Sequence, residues 1–341
     1  MRCSVEVERA RLGNGPVAVR YLAEYVGARA LEGVLSALPE EAAHAIGSTL
    51  GRLAYAPLRF RRHVVEAQIA AAFPERSPGW VRETARACYV HFGRETSAIA
   101  RLGRFDPVRL RSCTAGGSEA MATYRSCVPS GRGAIIVTGH IGNWELAGAF
   151  LASAGVPLAA VVKRQRNRRF DRHLAALRAG AGVPQLYMED VARGVPRALS
   201  EGRSIALVAD QDARSRGVFV TFLGRDASTF RGPARLALAH RVPLLFGALV
   251  READGYRAVV EPVEIPPDGP GAVRELTARW VGCLERQVRR RPEQYFWFHR
   301  RWKSAAGSGR CRNTRSTNGD GSPGCPVQRR GRPSSREDGI A

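Results

Sequence analysis

The sequence predicts an α/β fold, with a mixed or mostly parallel sheet flanked by helices and preceded by an N-terminal helical segment. Apolar residues recur at helical spacing through the first third of the chain. From residue 130 onward, short β-branched runs alternate with helical stretches, which is typical of an α/β sheet. No G-x-G-x-x-G follows a predicted strand and no Walker A sequence occurs, so the pattern does not favour a nucleotide-binding fold.

Residues 17–128 are predicted to be helical and to follow a loosely ordered N-terminus over residues 1–16. In residues 17–38 the apolar positions are interrupted by Arg20 and Glu24, which predicts an amphipathic helix. Such a helix lies either on a membrane surface or on the body of the protein. Further helices are predicted over residues 40–55, up to Pro74, and over residues 79–102.

A basic cluster precedes the helix that ends before Pro74. It contains Arg59, Arg61, Arg62 and His63. Cations at the N-terminus of a helix are unfavourable for the helix dipole. The cluster is therefore interpreted either as a solvated loop or as a contact for phosphates or lipid head groups.

Residues 129–303 are predicted as the α/β core, which forms one structural unit with the helical region. The predicted strands are 134–138, 158–163, 204–209, 218–222, 243–250 and 256–262. The predicted helices are 143–154, 168–179, 190–201, 230–240 and 271–290. Residues 304–341 are rich in Gly, Ser, Arg and Pro and lack apolar periodicity, so this tail is predicted to be disordered.

The charge balance of the chain predicts an anionic partner. Fifty-three Lys and Arg against 31 Asp and Glu give a net charge of +22. The tail after Lys303 holds seven Arg and three acids, so it supplies only +4 and the folded body is basic by itself. Candidate partners are an acidic membrane surface, a phosphorylated substrate and nucleic acid.

Cysteine usage and apolar runs bear on the location of the protein. The seven cysteines include no C-x-x-C pair, which argues against a zinc ribbon and favours reduced thiols in the cytosol. No apolar run of about 18 residues predicts a spanning helix. Arg2 and several acids precede any apolar stretch, which is unlike a signal peptide.

The stretch 133–150 is the strongest candidate site. His140 follows the strand predicted at 134–138, and Asn143 is placed to cap the next helix. On a continuous helix His140 and Glu145 would diverge, but they meet if His140 lies on the turn and Glu145 in the first helical turn. Glu145 is then expected to hold one imidazole nitrogen and leave the other free as a base. Without further support, a capped helix with a surface histidine would be the preferred interpretation.

Other polar groups follow the ends of predicted strands. Ligand sites of open α/β sheets gather at the carboxyl ends of the strands, so these groups are expected to share one edge with His140. Near the end of the body, two arginines follow a run of aromatic residues, and Arg is rarely buried unpaired. The residues concerned are Lys163, Arg164, Asn167, Asp210, Arg231, Arg300 and Arg301.

Five motifs in order resemble one known family. They are AFPERS at 72–77, TGHIGNWELAG at 138–148, VADQD at 208–212, FLGRDASTFRGPARLA at 222–237 and PEQYFWFHRRWK at 292–303. With these motifs the chain resembles the lipid A biosynthesis lauroyl/myristoyl acyltransferases of the lysophospholipid acyltransferase superfamily.

The resemblance implies an activity and a location. It implies transfer of a fatty acyl chain from an acyl thioester, either acyl carrier protein or acyl-CoA, to a hydroxyl of a lipid A precursor, without a cofactor. It also implies a place at the cytoplasmic face of the bacterial inner membrane. The protein is expected to be attached either peripherally or by a single N-terminal anchor; the first helix is less apolar than a membrane anchor of this family, which favours a helix that lies on the membrane.

The resemblance also implies roles for particular residues. His140 and Glu145 are the catalytic pair of the family motif, with His140 as the base and Glu145 orienting the imidazole. Backbone N–H groups near Gly142 and Asn143, or a cation such as Arg164, are candidates to stabilise the oxyanion. Residues implied in substrate binding or oxyanion stabilisation are Asn143, Lys163, Arg164, Asn167, Asp210, Arg231, Arg300 and Arg301.

Several alternatives stay open at this point. The acceptor is a lipid A precursor or another anionic glycolipid, phospholipid or glycan. A metal-dependent hydrolase would need a further ligand and is usually announced by H-E-x-x-H, a spacing that His240 and His299 do not provide. A nucleic-acid binder would explain the charge, but no recognition motif supports it, so no nucleic acid and no metal are expected. A non-catalytic lipid-binding protein is disfavoured because both His140 and Glu145 are present.

Overall fold

The computed structural model describes residues 16–104 and 106–304. The predictions of a loosely ordered stretch over 1–16 and of a disordered tail over 304–341 fall almost wholly outside these residues. Four long helices open the described chain, as the apolar spacing predicts. They are α1 (Pro16–Ala37), α2 (Glu40–Tyr55), α3 (Arg62–Ala72) and α4 (Pro78–Ala100).

Helix α4 is the centre of the N-terminal helical layer. It begins where the Ser77 hydroxyl accepts a hydrogen bond from the Trp80 backbone N–H at 3.2 Å, with Pro78 at its first position. Its packing on α2 depends on glycine, because a Cβ at Gly47 would lie 2.3 Å from the Gly93 carbonyl oxygen. The two backbones therefore approach more closely than larger residues would allow.

A seven-stranded sheet forms the core of the rest of the chain. Its strands are β1 (Thr114–Ala115), β2 (Ile135–Thr138), β3 (Leu158–Val162), β4 (Gln185–Tyr187), β5 (Ser204–Val208), β8 (Leu244–Glu252) and β9 (Gly255–Val263). The order is β1-β9-β8-β2-β5-β3-β4, and only the β8–β9 pair is antiparallel. The sheet is thus mostly parallel, as predicted.

Helices cover both faces of this sheet. They are α5 (Pro107–Ser112), α6 (Gly117–Cys127), α7 (Trp144–Ser153), α8 (Arg168–Gly180), α9 (Val191–Ser200), α10 (Gly232–His240) and α11 (Ala272–Arg290). Along β2, Ile135 and Val137 belong to one buried cluster and Ile136 to another. Burial on both faces explains why β2 reads as an unbroken apolar run.

Several short elements differ from the prediction. Strand β1 has two residues and interrupts the region 17–128 that is predicted to be helical, whereas helices α5 and α6 lie within that region. Strand β4 has three residues and is not predicted. The strand β6 (Val218–Phe222) lies where the sequence predicts it, but it pairs only with β7 (Arg225–Thr229) in a separate antiparallel hairpin. The polar sequence of β7 gives no strand signal of its own. In the described ranges, no helix combines the length and the apolar character that crossing a membrane requires.

Candidate active site

His140 and Asp210 meet because their strands are neighbours. Each residue lies two positions beyond the end of its strand, β2 for His140 and β5 for Asp210, and these strands are parallel. His140 Nδ1 lies 2.6 Å from Asp210 Oδ1, and the His140 backbone N–H donates to Asp210 Oδ2 at 2.9 Å. Asp210 is fully buried. Because an ionised carboxylate only accepts hydrogen bonds, it fixes the proton of a neutral imidazole on Nδ1 and leaves Nε2 as an acceptor.

The imidazole of His140 is held among aromatic rings but stays open to solvent on one side. Its ring centroid lies 4.9 Å from that of Trp144, 5.9 Å from Phe296 and 5.4 Å from His299. The Phe296 backbone N–H donates to the His140 carbonyl oxygen at 2.9 Å. The side chain of His140 keeps 18% of its surface exposed, and its Nε2 lies 3.4 Å from Gln211 Nε2. This nitrogen can therefore meet a substrate.

The charges around His140 tune its basicity. Burial lowers the pKa of His140, but the negative charge and the hydrogen bond of Asp210 outweigh burial and raise the pKa above its ordinary value. Glu145 acts in the same direction from a longer range. Burial raises the pKa of Asp210, yet His140 and His299 outweigh that effect and keep it well below its ordinary range. Asp210 thus stays ionised while His140 exchanges a proton.

The predicted hydrogen bond between Glu145 and His140 is wrong. Glu145 lies in the first turn of α7, as predicted, but its carboxylate binds Arg178 on α8. Arg178 Nε donates to Glu145 Oε2 at 2.8 Å, and Arg178 Nη2 donates to Glu145 Oε1 at 2.5 Å. This first turn faces α8, so Glu145 turns toward the arginine, and the imidazole is held by Asp210 instead.

We expect the Glu145–Arg178 pair to contribute to stability as a coupled unit. Both side chains are more than four-fifths buried, so Glu145→Ala or Arg178→Ala alone leaves an uncompensated charge and should cost about 3 kcal/mol. A double-mutant cycle on the free energy of unfolding should give a coupling of about 1–3 kcal/mol. The exposed Arg197–Glu201 pair is the matched control and should give roughly 0.5 kcal/mol or less. If the losses in the free energy of unfolding of the two single variants add up to the loss of the double variant, this account is contradicted.

Asn143 is a structural residue and not a substrate ligand. Its Oδ1 accepts a hydrogen bond from the Leu146 backbone N–H at 3.0 Å, which confirms the predicted helix cap. Its Nδ2 donates to Glu95 Oε2 at 2.8 Å, and only 1% of the residue is exposed. The side chain of Asn143 is therefore committed within the protein and out of reach of a bound molecule.

The backbone N–H groups predicted to form an oxyanion hole also have other partners. The Gly142 N–H donates to the Gln294 carbonyl at 3.0 Å, and the Asn143 N–H donates to the Leu249 carbonyl at 2.9 Å. Gly142 has φ of +58°, and a Cβ there would lie 2.1 Å from the Leu249 carbonyl oxygen, so this turn requires glycine. These two hydrogen bonds hold the turn against the backbone at Gln294 and Leu249, so neither N–H group is free for a substrate.

The other predicted residues divide into structural and accessible ones. Asn167 is buried, caps α8 and donates to the Tyr21 carbonyl at 2.8 Å. Arg301 is 2% exposed and donates to the Ser228 carbonyl and the Thr229 hydroxyl. The structure thus gives Asn167 and Arg301 partners within the protein and does not place them where substrate binding or oxyanion stabilisation was predicted. Their side chains instead tie separate segments together. Lys163, Arg231 and Arg300 are exposed, and Arg164 pairs with Glu189 at 2.7 Å over the Tyr187 ring.

A cavity of about 620 Å³ lies beside the site and is shared between α2, α4 and the segment after α11. Its walls include Gln211, Phe296 and His299, all of which surround His140. One part of the lining is apolar and contains Leu31, Leu35, Leu50, Ala54, Tyr89 and Phe92. Another part is charged and contains Arg61, Asp212, Arg214, Arg300 and Lys303. A cavity of this kind fits a molecule with an apolar chain and an anionic head.

Sequence reasoning missed three residues that shape the site. Arg178 lies in the last turn of α8, where nothing distinguishes it from other surface arginines. His299 is part of the motif at 292–303, but from the sequence it is considered only as a metal ligand. Burial lowers the pKa of His299 to about 4, so this ring is neutral beside His140. Gln211 stands next to Asp210 in the motif VADQD, and that position was the available signal.

The described residues also bear on metal binding and on the charge of the chain. Within residues 16–104 and 106–304, no three His, Cys, Asp or Glu side chains converge as a metal site would need. The positive charge is distributed over exposed arginines on many elements, among them Arg59, Arg61 and Arg300.

Comparison with known proteins adds a family and several relatives. A family model described as bacterial lipid A biosynthesis acyltransferase matches residues 17–304. A phosphatidylinositol mannoside acyltransferase of Mycolicibacterium smegmatis is 30% identical over 141 residues, which cover 40% of this chain and 46% of that protein. The lipid A biosynthesis palmitoleoyltransferase of Escherichia coli is 24% identical over 267 residues, or 76% of this chain and 84% of that protein. The lipid A biosynthesis lauroyltransferase of Escherichia coli is 28% identical over 274 residues, or 78% and 87% of the two chains.

Proposed function

The chain belongs to the bacterial lipid A biosynthesis acyltransferase family, and we propose that it moves a fatty acyl chain from an acyl thioester to a hydroxyl group of a lipid A precursor. The observation that carries this proposal is His140, whose Nδ1 is held by Asp210 while its Nε2 lies 3.4 Å from Gln211, a residue that lines the cavity. A hydroxyl is a weak nucleophile near neutral pH, so its attack on the carbonyl carbon of a thioester needs a positioned base. His140 supplies that base.

The proposed reaction proceeds in two proton transfers. His140 Nε2 takes the proton of the acceptor hydroxyl as its oxygen forms a bond with the thioester carbonyl carbon. The resulting imidazolium is stabilised by the Asp210 carboxylate, which stays ionised. The tetrahedral intermediate collapses, the carbon–sulfur bond breaks, and the imidazolium returns its proton to the leaving thiolate. Glu145 adds negative charge at longer range and is held in place by Arg178.

Gln211 is our candidate for the oxyanion donor. The N–H groups of Gly142 and Asn143 already donate to backbone carbonyls, so another donor is needed. The side-chain amide of Gln211 lies beside His140 Nε2 and lines the cavity. Its N–H group can turn from the imidazole to the oxygen of the intermediate, because a 3.4 Å contact is weak and easily exchanged.

The cavity supports a thioester of a long acyl chain as the donor. Its apolar walls, such as Leu35 and Phe92, suit the hydrocarbon chain, and burying methylene groups there is favourable. Arg214, Arg300 and Lys303 suit the phosphate of a pantetheine-type thiol, which acyl carrier protein and acyl-CoA both carry. Both donors are therefore retained in the proposal.

A second acceptor is favoured by one specific comparison. The relative with 30% identity over 141 residues acts on phosphatidylinositol mannoside, whereas the Escherichia coli relatives act in lipid A biosynthesis. All these acceptors combine sugar hydroxyls with phosphate. We therefore propose phosphatidylinositol mannoside, or a related anionic glycolipid, as the alternative acceptor.

An assay with purified components tests the activity. The purified protein is incubated with each acyl donor, an acyl carrier protein thioester or an acyl-CoA, in combination with each acceptor, and the masses of the products are measured by mass spectrometry. The proposal expects an acceptor that gains the mass of one acyl chain. Thioester consumption that yields only free fatty acid with every acceptor would contradict it and indicate a hydrolase.

We also propose that the protein lies on the cytoplasmic face of the inner membrane through an apolar face of its N-terminal helices. This face consists of exposed residues of α1, α2 and the following loop: Val17, Val19, Leu22, Val26, Leu31, Val34, Ile46, Leu50, Leu53, Leu58 and Phe60. The exposed Arg59 and Arg61 adjoin it and suit anionic head groups. Apolar side chains flanked by cations are typical of peripheral membrane binding.

Charges placed on this apolar face should release the protein from vesicles. We expect Leu53→Glu with Leu58→Glu to weaken binding to phosphatidylethanolamine–phosphatidylglycerol vesicles at least about tenfold, because two leucines lose their apolar burial. Val108→Glu with Met188→Glu is the matched control, since both residues are exposed on other elements. Equal flotation of the two double variants would contradict the assignment.

A further inference from the structure

A second cavity, of about 820 Å³, has no role in the proposed reaction. It lies on the other side of α4 and shares no lining residue with the cavity beside His140. Its walls come from α4, from the β8–β9 turn and from the segment after α11. The residues that matter below are Arg86, His91 and Arg94 of α4, with Glu83, Arg52 and Glu293 at the walls.

Two buried polar atoms in the lining of this cavity have no partner. They are His91 Nε2 and Arg94 Nε. His91 is 93% buried, since its relative exposure is 7%. The two residues are three apart on α4, so their side chains share one face of the helix. Unsatisfied buried polar atoms are rare in folded proteins and point to a missing partner.

The two atoms need different hydrogen-bonding groups. The arginine Nε–H is a donor and needs an acceptor. Burial lowers the pKa of His91 to about 4, so its ring is neutral. A hydroxyl group can pair with Nε2 of a neutral imidazole, because a hydroxyl both donates and accepts.

The charged residues of the walls also suit two kinds of group, an anion and a hydroxyl. Arg251 and Arg291 are already paired with Glu95 and Glu252. Arg52, Arg86 and Arg94 make no ion pair with any residue in the described parts of the chain. Unpaired arginines close together suit a phosphate. The carboxylates of Glu83 and Glu293 only accept hydrogen bonds, which hydroxyl groups can donate.

We propose that this cavity binds a phosphate monoester that carries hydroxyl groups, a phosphorylated polyol or sugar. The phosphate lies against Arg86 and Arg94, and a hydroxyl forms a hydrogen bond with His91 Nε2. The ligand is either free in solution or the head group of a lipid. The inference stands independently of the proposed acyl transfer, because none of its residues lines the cavity beside His140.

Calorimetric titration of the full chain tests the site with glucose 6-phosphate as the probe. We expect glucose 6-phosphate to bind more tightly than either inorganic phosphate or glucose. Arg86→Gln with Arg94→Gln should weaken its binding about tenfold or more, because two charged hydrogen-bond donors are lost. The matched control is Arg82→Gln, an exposed arginine on the same helix that does not line the cavity, and it should leave affinity unchanged.

A second variant tests the hydroxyl contact. His91→Phe should abolish the preference for glucose 6-phosphate over inorganic phosphate. Where this buried variant does not fold, the ¹⁵N shift of the His91 ring in the unchanged protein replaces it and should move only with the hydroxylated probe. Equal affinity of the double arginine variant and the unchanged protein, equal binding of phosphate and glucose 6-phosphate, or no binding at all would overturn the proposal.

Vesicles distinguish the two sources of the ligand. Phosphatidylcholine vesicles with phosphatidylinositol 4-phosphate carry the same chemistry on a lipid. Displacement of glucose 6-phosphate by these vesicles, but not by phosphatidylcholine alone, supports the site with a lipid head group as its ligand. If the vesicles do not displace glucose 6-phosphate, the result supports a site whose ligand is a free phosphorylated polyol.

Discussion

His140→Ala should reduce acyl transfer by about 10³-fold or more while the protein stays folded. The substitution removes the nitrogen that takes the hydroxyl proton, and no other side chain that the structure describes occupies its place against Asp210. The side chain is partly exposed, and its loss opens the site rather than the core. The rate of acyl-product formation by the purified variant is the measurement.

Two controls separate lost chemistry from lost structure. The melting temperature of His140→Ala should fall by several degrees, because the fully buried Asp210 carboxylate loses its side-chain partner, but the variant should keep a single cooperative unfolding transition. His240→Ala removes a histidine at the end of α10, away from the motif at 138–148, and should leave the rate unchanged. Full activity of His140→Ala would exclude His140 as the base.

Asp210→Asn should lower the rate far more than Glu145→Gln does. An amide does not fix the imidazole proton on Nδ1 and does not stabilise the imidazolium by charge, and the same change in a Ser-His-Asp triad costs about 10⁴-fold. Glu145 acts on His140 only through its charge at longer range, so we expect about a tenfold loss for Glu145→Gln. The ratio of the two rates is the measurement.

The pH dependence of kcat/KM gives a second readout for this pair. A general base works in its neutral form, so the rate should rise with pH through the pKa of His140. That pKa is raised because the effect of Asp210 outweighs burial. Removal of the Asp210 charge should therefore lower the pKa and move the acidic limb of the profile to lower pH. Glu145→Gln should shift it in the same direction by less. A larger shift or a larger loss for Glu145→Gln would restore Glu145 as the principal partner.

The fold was largely predictable because its main elements are local in sequence. The long helices show a helical period and the buried strands stand out as short apolar runs, and the alternation of the two after residue 130 is enough to indicate an α/β sheet. Elements of two or three residues, such as β1 and β4, have no period to detect. The hairpin of β6 and β7 is defined by the pairing of these two strands with each other, and the residues of one strand alone do not predict its partner.

The site was predictable in its location and less so in its contacts. Gly139 and Gly142 flank His140 in the sequence and indicate a turn there, and Asp210 follows the end of a predicted strand. The spacing of His140 and Glu145 did not reveal that the first turn of α7 faces Arg178. The strand order brings Asp210 to His140, and that order is a property of the whole sheet. Arg301 shows the same limit, because its partners at 228 and 229 are distant in sequence.

The most direct test of the central claim is mass spectrometry of total lipids from cells that produce the unchanged protein or its His140→Ala variant. The account predicts a phosphorylated glycolipid of the lipid A or phosphatidylinositol mannoside type that carries one more acyl chain with the unchanged protein and lacks it with the variant. Lipid profiles that are identical in the two cell lines, with equal amounts of both proteins, would contradict acyl transfer by His140.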